Sequence, residues 1–246
     1  MKNILVTNDD GIYGPGLWPL LKELKKISNV IAVVPERERS GTSHSITLHK
    51  PLRVKEIEKN IYIANGSPAD CVKYAVRALS KNGIDLVISG INSCPNLGQD
   101  IVYSGTVAGA REAAILNIPS FAISVSEEQK GIFKTAANIS ANLARKIFDS
   151  DFPYHIYLNV NIPKNIKGIS ITSLGRRIYD QKIEARTDPR GKRYYWLSGK
   201  YLSGVRKKGT DITAVQNGFI SITPLHLDPT ARDLFGVFDK WTNDLS

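Results

Sequence analysis

Sulfur chemistry has little to work with in this chain. Only two cysteines occur among 246 residues, Cys71 and Cys94. That count excludes a disulfide framework and suits a reducing compartment. Long apolar runs are missing too: no stretch of roughly eighteen apolar residues occurs, so no membrane span is predicted. The opening MKNILVTNDDG lacks signal-peptide character, because its apolar run Ile4–Val6 is short and two carboxylates follow at once. The protein is therefore expected to be cytoplasmic, with no membrane partner. A Walker loop, a G-x-G-x-x-G after a strand, a G-x-S-x-G and a cysteine–histidine zinc spacing are all absent. So are internal repeats and low-complexity segments.

What is present is an ordinary globular composition, 42% hydrophobic and 23% charged, in a chain long enough to bury a large core. It reads as a single domain over residues 1–246. The formal charge is +10. Such a balance attracts anionic substrates or nucleic acid, or simply reflects a lysine-rich solvated surface. The positive residues are dispersed, with short clusters at Lys22–Lys26, Arg176–Arg177 and Arg206–Lys208. With no basic tail, no stable nucleic-acid partner is expected.

The first half alternates strands and helices. Ile4–Thr7, Val30–Val34, Leu86–Ile88, Phe121–Val125 and Tyr157–Val160 are continuous apolar runs of strand length, and Ile61–Ala64 is a further candidate. Leu17, Leu20, Leu21, Leu24 and Ile27 recur at helical spacing. Ser67-Pro68-Ala69-Asp70 opens a helix that runs to Lys81-Asn82-Gly83, with Ser67 as N-cap and Pro68 first inside. Residues 104–116 and about 129–149 read as helices. Uninterrupted apolar strands separated by helices predict an α/β fold with a mostly parallel sheet covered on both faces. The second half differs. Ile169–Thr172 reads as a strand, and Asp188-Pro189-Arg190-Gly191 as a turn closing a long hairpin. A short helix at 211–217, a strand Phe219–Thr223 stopped by Pro224, and a weak helix at about 230–243 complete the reading.

In open α/β sheets, ligands bind beyond the carboxyl ends of the strands. Asp9 and Asp10 follow the first strand, Glu36–Ser45 the second, and Ser89, Asn92 and Asn96 the strand at Leu86–Ile88. Adjacent carboxylates repel unless a cation compensates, and an all-oxygen set of Asp9, Asp10, Ser40 and Asn92 suits magnesium or manganese. An Asn-Asp-Asp-Gly run is equally a turn, since every residue in it favours turns. Ser104-Gly105-Thr106 opens a helix with free backbone N–H groups, which is either a phosphate cradle or an N-cap on a tightly packed helix. The loop Ser89–Gly98 is too polar for core. It offers two side-chain amides, or is a plain turn-rich loop. His44 is the one histidine in a candidate site loop, either a substrate-orienting or general-acid group or a residue bonded locally. Cys94 shares the amide loop, where a packing role is expected.

Together these motifs resemble the SurE (survival protein E) family of stationary-phase-survival nucleotidases. The segments are ILVTNDDGI, VVPERERSGTSHSITL, NGSPADCV, DLVISGIN, PNLGQDIVYSGTVAGAREAA, DPRGKRYYWLSG and NGFISITPLHLD, in order over nearly the whole chain. The resemblance implies a Rossmann-like three-layer core and a metal-dependent nucleotidase hydrolysing nucleoside 5′- and 3′-monophosphates, in some members also short polyphosphate. It implies one divalent ion per subunit on Asp9, Asp10, Ser40 and Asn92, with Asn96, Ser104, Gly105 and Thr106 lining the phosphate site. It further implies homodimers or homotetramers that exchange the hairpin (about 175–205) and the C-terminal segment (about 225–246). Two positions depart from the family pattern: Ser67 stands where threonine is common, and Cys94 where glycine is usual. A side chain at Cys94 alters the loop or narrows the pocket.

The expected reaction is hydrolysis of a phosphate monoester by a metal-activated water. Attack by Asp9 or Asp10 to form an aspartyl-phosphate is the alternative, disfavoured because ligating carboxylates are poor nucleophiles. Two other readings are a non-catalytic nucleotide- or RNA-binding module and a phosphatase for a different anion.

Overall fold

The computed structural model describes residues 1–80, 82–180, 182–205 and 207–242. Lys81 at the expected end of the second helix, Arg206 in the third basic cluster and the tail from residue 243 lie outside the described residues.

Nine strands form one sheet. In chain order they are β1 (Asn3–Thr7), β2 (Asn29–Pro35), β3 (Val54–Glu58), β4 (Ile61–Ala64), β5 (Leu86–Asn92), β6 (Ser120–Val125), β7 (Ile156–Ile162), β8 (Gly168–Ile171) and β13 (Phe219–His226). The spatial order is β3-β4-β2-β1-β5-β6-β7-β13-β8. Strands β4 to β7 run parallel, and β3 and β13 pair antiparallel with β4 and β7. This is the mostly parallel α/β sheet that the apolar runs predict.

Strand alternation feeds two cores. Ile4, Val6, Ile88 and Ile123 face one side, under α1 (Leu17–Leu24) and α4 (Ile132–Phe148). Leu5, Val33 and Val87 face the other, under α2 (Pro68–Tyr74) and α3 (Gly105–Ile115). All seven of these side chains have no exposed surface. The sheet is therefore buried on both faces, which a parallel sheet requires. The capping box of α2 forms: Ser67 Oγ accepts from Asp70 N at 3.2 Å, and Asp70 Oδ2 accepts from Ser67 N at 2.9 Å. After Tyr74 the winding widens to a π turn over Ala75–Leu79.

Three boundaries differ from the sequence reading. β5 does not stop at Ile88 but runs through Ser89 and Gly90 to Asn92, with a register shift against β6. β13 continues past Pro224. Ile222 O accepts from Thr172 N, so alternate residues, Pro224 included, face β8, and β8 has ended there. The missing N–H falls where no partner stands. β3 went unread because its VKEIE sequence is polar and exposed apart from Val54.

The long hairpin is present as two nested pairs, β9 (Arg177–Tyr179) with β12 (Tyr201–Gly204) and β10 (Lys182–Thr187) with β11 (Arg193–Ser198). Its base hangs on Asp211, the first residue of α5 (Asp211–Gln216), whose carboxylate is fully buried. Oδ1 accepts from Gly175 N at 2.7 Å and Ile212 N at 2.8 Å, and Oδ2 from Gly98 N at 2.7 Å. Asp211→Ala strands these N–H groups and is expected to cost about 3 kcal/mol in urea denaturation. An unchanged midpoint would contradict that. The chain then enters a short 3-10 turn and α6 (Phe235–Thr242), both exposed. No described helix is long and apolar enough to cross a membrane.

Candidate active site

Strand order decides where chemistry can sit. From β1 the chain goes to β2 on one side, and later places β5 on the other. The crevice at this switch point lies between the ends of β1 and β5, which carry Asp9–Asp10 and Asn92. A cleft of about 700 Å³ opens there.

Asn8 shapes the dyad. Its side-chain amide donates to Gly11 O at 2.9 Å and accepts from Gly11 N at 3.0 Å, closing the turn around Asp9 and Asp10. The segment is thus a turn, and its two carboxylates stand at the cleft. Asp9 is buried, and its Oδ1 accepts from the Thr106 hydroxyl. Asp10 Oδ2 is buried and has no hydrogen-bond partner. Burial pushes the Asp9 carboxyl up. Burial and the neighbouring charges of Asp9 and Glu38 push Asp10 up to about 7. Two carboxylates driven toward neutrality, one with an orphaned oxygen, are the electrostatic signature of a place for a cation.

The remaining oxygens surround them. Ser40 lines the cleft and donates to Glu38 Oε1 at 2.6 Å, so its oxygen keeps its lone pairs. Asn92 commits its Nδ2 to Cys94 O at 2.7 Å, which frees its carbonyl oxygen. The donor set is two carboxylates, a hydroxyl and an amide carbonyl. It suits a hard divalent ion such as magnesium or manganese. Among the described residues no three His, Cys, Asp or Glu side chains cluster as a metal site, so a cation here would depend on the hydroxyl and amide oxygens as well as on the dyad.

Opposite stands the start of α3. Ser104 caps it, accepting from Val107 N at 3.0 Å, and lines the cleft. Close approach explains the small residues. A Cβ on Gly105 would lie 2.8 Å from Asp9 Cβ, and one on Gly109 would lie 2.6 Å from Ser89 Oγ. The glycines let the helix N-terminus, with its free N–H groups and positive dipole end, press against the dyad.

Three comparisons bear on this geometry. The family model "Survival protein SurE" matches residues 4–181. The 5′-nucleotidase SurE of Thermoanaerobacter sp. (strain X514) is 45% identical over 97% of both chains. That of Aquifex aeolicus is 42% identical over 94% of both. A crystal structure of the SurE protein from Aquifex aeolicus superposes with a TM-score of 0.86 at 40% identity, covering 98% of this chain and 99% of that one. The chain belongs to the SurE family.

Within this SurE chain the expected residues are only partly assembled as the sequence implied. Asp9, Asp10, Ser40, Asn92, Asn96 and Ser104 all line one cleft. Gly105 and Thr106 do not. Thr106 has no exposed surface and spends its hydroxyl on Asp9. It holds the carboxylate from behind. His44 is also absent from the cleft wall. Its Nε2 lies 2.8 Å from Glu112 Oε2, so it is not placed as an acid at the cleft, and its bond is not local. Cys94 is exposed at the cleft rather than packed in core.

Residues behind the cleft and on its far side were not anticipated. Asn159 and Asn161 on β7 donate to Asn96 O at 2.8 and 3.0 Å, and Asn161 Oδ1 accepts from Asn96 N. Two asparagines inside the apolar run YLNVNI were the available signal. Asp100, Arg177 and Tyr179 form the far wall. Arg177 Nη1 lies 2.6 Å from Asp100 Oδ2, which also accepts from the Tyr179 hydroxyl. Burial and the Asp100 bond push the Tyr179 phenol up to about 12. The Arg177 guanidinium stacks 4.3 Å from the Tyr201 ring centre.

Proposed function

We propose that this protein is a 5′-nucleotidase, a phosphomonoesterase that hydrolyses nucleoside monophosphates with the help of one divalent cation. The observation that carries the reading is the orphaned, buried Asp10 oxygen beside Asp9, whose own carboxylate is held against the first turn of α3 by Thr106. The name 5′-nucleotidase borne by relatives more than 40% identical over nearly their full length supports it. Asp9, Asp10, Ser40 and Asn92 would hold the cation. Bound there, it would supply charge neutralisation and a low-pKa water.

The chain's own groups do the rest. Ser104 Oγ, which accepts the cap bond, keeps its own proton to donate toward a phosphate oxygen. Ser104 and the positive dipole end of α3 behind it favour the charge that spreads over the equatorial oxygens in the transition state. Asn96 is fixed by Asn159 and Asn161, and so presents a preorganised wall. Thr106 and the backbone at Gly105 keep Asp9 in one orientation. Tyr103, 65% exposed at the same cleft, and Tyr179 offer aromatic surface for the nucleoside end.

Phosphate release from AMP and GMP with magnesium or manganese tests the proposal. EDTA is expected to abolish it, and activity undiminished in EDTA would sink the metal assignment. The same panel includes 3′-monophosphates and short polyphosphate. Tyr103→Ala is expected to raise KM for AMP roughly ten-fold, the worth of one stacked base. KM for polyphosphate should stay fixed, and equal losses on both would argue against a stacking role.

The proposal extends to assembly as a homodimer or homotetramer. Ile183, Tyr195 and Leu197 share one face of the β10–β11 hairpin and are 65, 60 and 87% exposed. Phe235, Phe238 and Trp241 are exposed on α6. A second copy covering both surfaces accounts for this much bare apolar area, and light scattering at micromolar concentration reads the mass.

A further inference from the structure

Glu112 sits inside α3, buried, yet it receives two basic side chains from different elements. His44 comes from the loop after β2 at 2.8 Å, and Lys73 from α2 at 3.2 Å. A buried carboxylate with such partners is a fixed anchor, because moving either partner exposes an uncompensated charge. Burial pushes the Glu112 carboxyl up, but the His44 and Lys73 contacts outweigh it and hold it below its ordinary range.

The loop that delivers His44 also delivers Glu38 and Ser40 to the cleft. Between them the backbone turns through Ser43, whose φ of 55° lies in the left-handed region that a serine disfavours. Ser43 is held there on one side by Tyr103 O, which accepts from its N–H at 3.0 Å, and by Val102 O, which accepts from its hydroxyl at 2.7 Å. On the other side stands the His44–Glu112 contact. A disfavoured turn persists only where its surroundings over-determine it. Here the surroundings are the residues leading into α3 and the helix itself. The loop holding Ser40 is therefore referenced to the element that presents Ser104.

We infer that His44 is a positioning residue, a latch that uses Glu112 to hold the Ser40 loop at a set distance from the N-terminus of α3. It acts through the place of Ser40, and this role rests on the cation-assisted reading above.

Hydrogen exchange of residues 37–48 in the metal-free protein reads the latch without any catalysis. His44→Ala should speed that exchange roughly ten-fold or more, the effect of losing one hydrogen bond to a charged group. His44→Gln, which keeps a donor for Glu112, should recover most of it. A free-Mn²⁺ titration by electron paramagnetic resonance should show affinity weakened about ten-fold in His44→Ala, the size seen when an outer partner of a ligand is removed. KM should rise with it more than kcat falls. Lys73→Ala, which trims Glu112 without touching the loop, should leave exchange and Mn²⁺ affinity near wild type. Unchanged exchange in His44→Ala, no rescue by glutamine, or an equal loss in Lys73→Ala would each overturn the latch. Failure of the wild-type protein itself to bind Mn²⁺ or release phosphate would instead overturn the reaction proposed above, leaving exchange to decide the latch.

Discussion

Asp9→Asn is expected to lose roughly 10²- to 10³-fold in kcat while remaining folded, the scale of removing one preorganised electrostatic group from a site. Asparagine matches the shape of aspartate, so the contact with Thr106 and the close approach of Gly105 both survive. Only the charge goes, and the amide nitrogen turns a lone pair into a donor that repels a cation. Asp10→Asn should behave alike. Ser40→Ala should lose less, because it removes a neutral oxygen. Steady-state rates at saturating magnesium or manganese, with a circular dichroism spectrum of each variant, check this. Full turnover by Asp9→Asn would remove the dyad from the mechanism. A rapid quench of the wild-type reaction should trap no phosphorylated aspartate, since Asp9 is pinned by Thr106 and, on the reading proposed above, both carboxylates would hold the cation.

The parts of this molecule that were legible in sequence are those where local chemistry and tertiary placement agree. β1, β2, β6 and β7 are apolar runs because both faces of the sheet are covered, and α1 repeats leucine because one face is. The place of the Asp9–Asp10 pair at the cleft was readable because a polar turn directly after a strand ends at the carboxyl edge of the sheet. β5 was read short because Ser89 and Gly90 look like a loop. In the fold α3 closes on Ser89 at Gly109, and Gly90 lies against Ile123 of β6. His44 bonds away from the cleft for the opposite reason. Its neighbours Glu38 and Ser40 reach the cleft, but the turn at Ser43 redirects it to a helix 68 residues away. Nothing in the sequence joined Asp100, Arg177 and Tyr179 to one another. A pairing across 77 residues, fixed by where the Asp211 carboxylate ties down the hairpin base, is not written in any local pattern.

The dyad also makes the metal-free protein weakest where it is expected to work. Asp10 titrates at about 7 in the fold, against an ordinary value of 3.8, and Asp9 is raised too. A raised carboxyl means the folded state holds its proton over a range where the unfolded chain has released it. The associated stability is complete below the ordinary value and drains away as pH rises through about 7. Glu112 and Asp85, both lowered, lose their contribution only on the acid side, so they are silent in that window. Urea denaturation in EDTA should therefore find the wild-type protein about 1–2 kcal/mol more stable near pH 5.5 than near pH 8. That figure is the linkage value reduced for the partial solvation of Asp10. Asp10→Asn has no proton to lose there and should flatten the difference. Magnesium or manganese at about a hundred times its dissociation constant should restore roughly 2.7 kcal/mol to the wild type at pH 8 and far less to the variant. An Asp10→Asn profile with the wild-type slope would place the titration elsewhere. A variant that stabilised with metal as strongly as wild type would mean the ion binds away from Asp10.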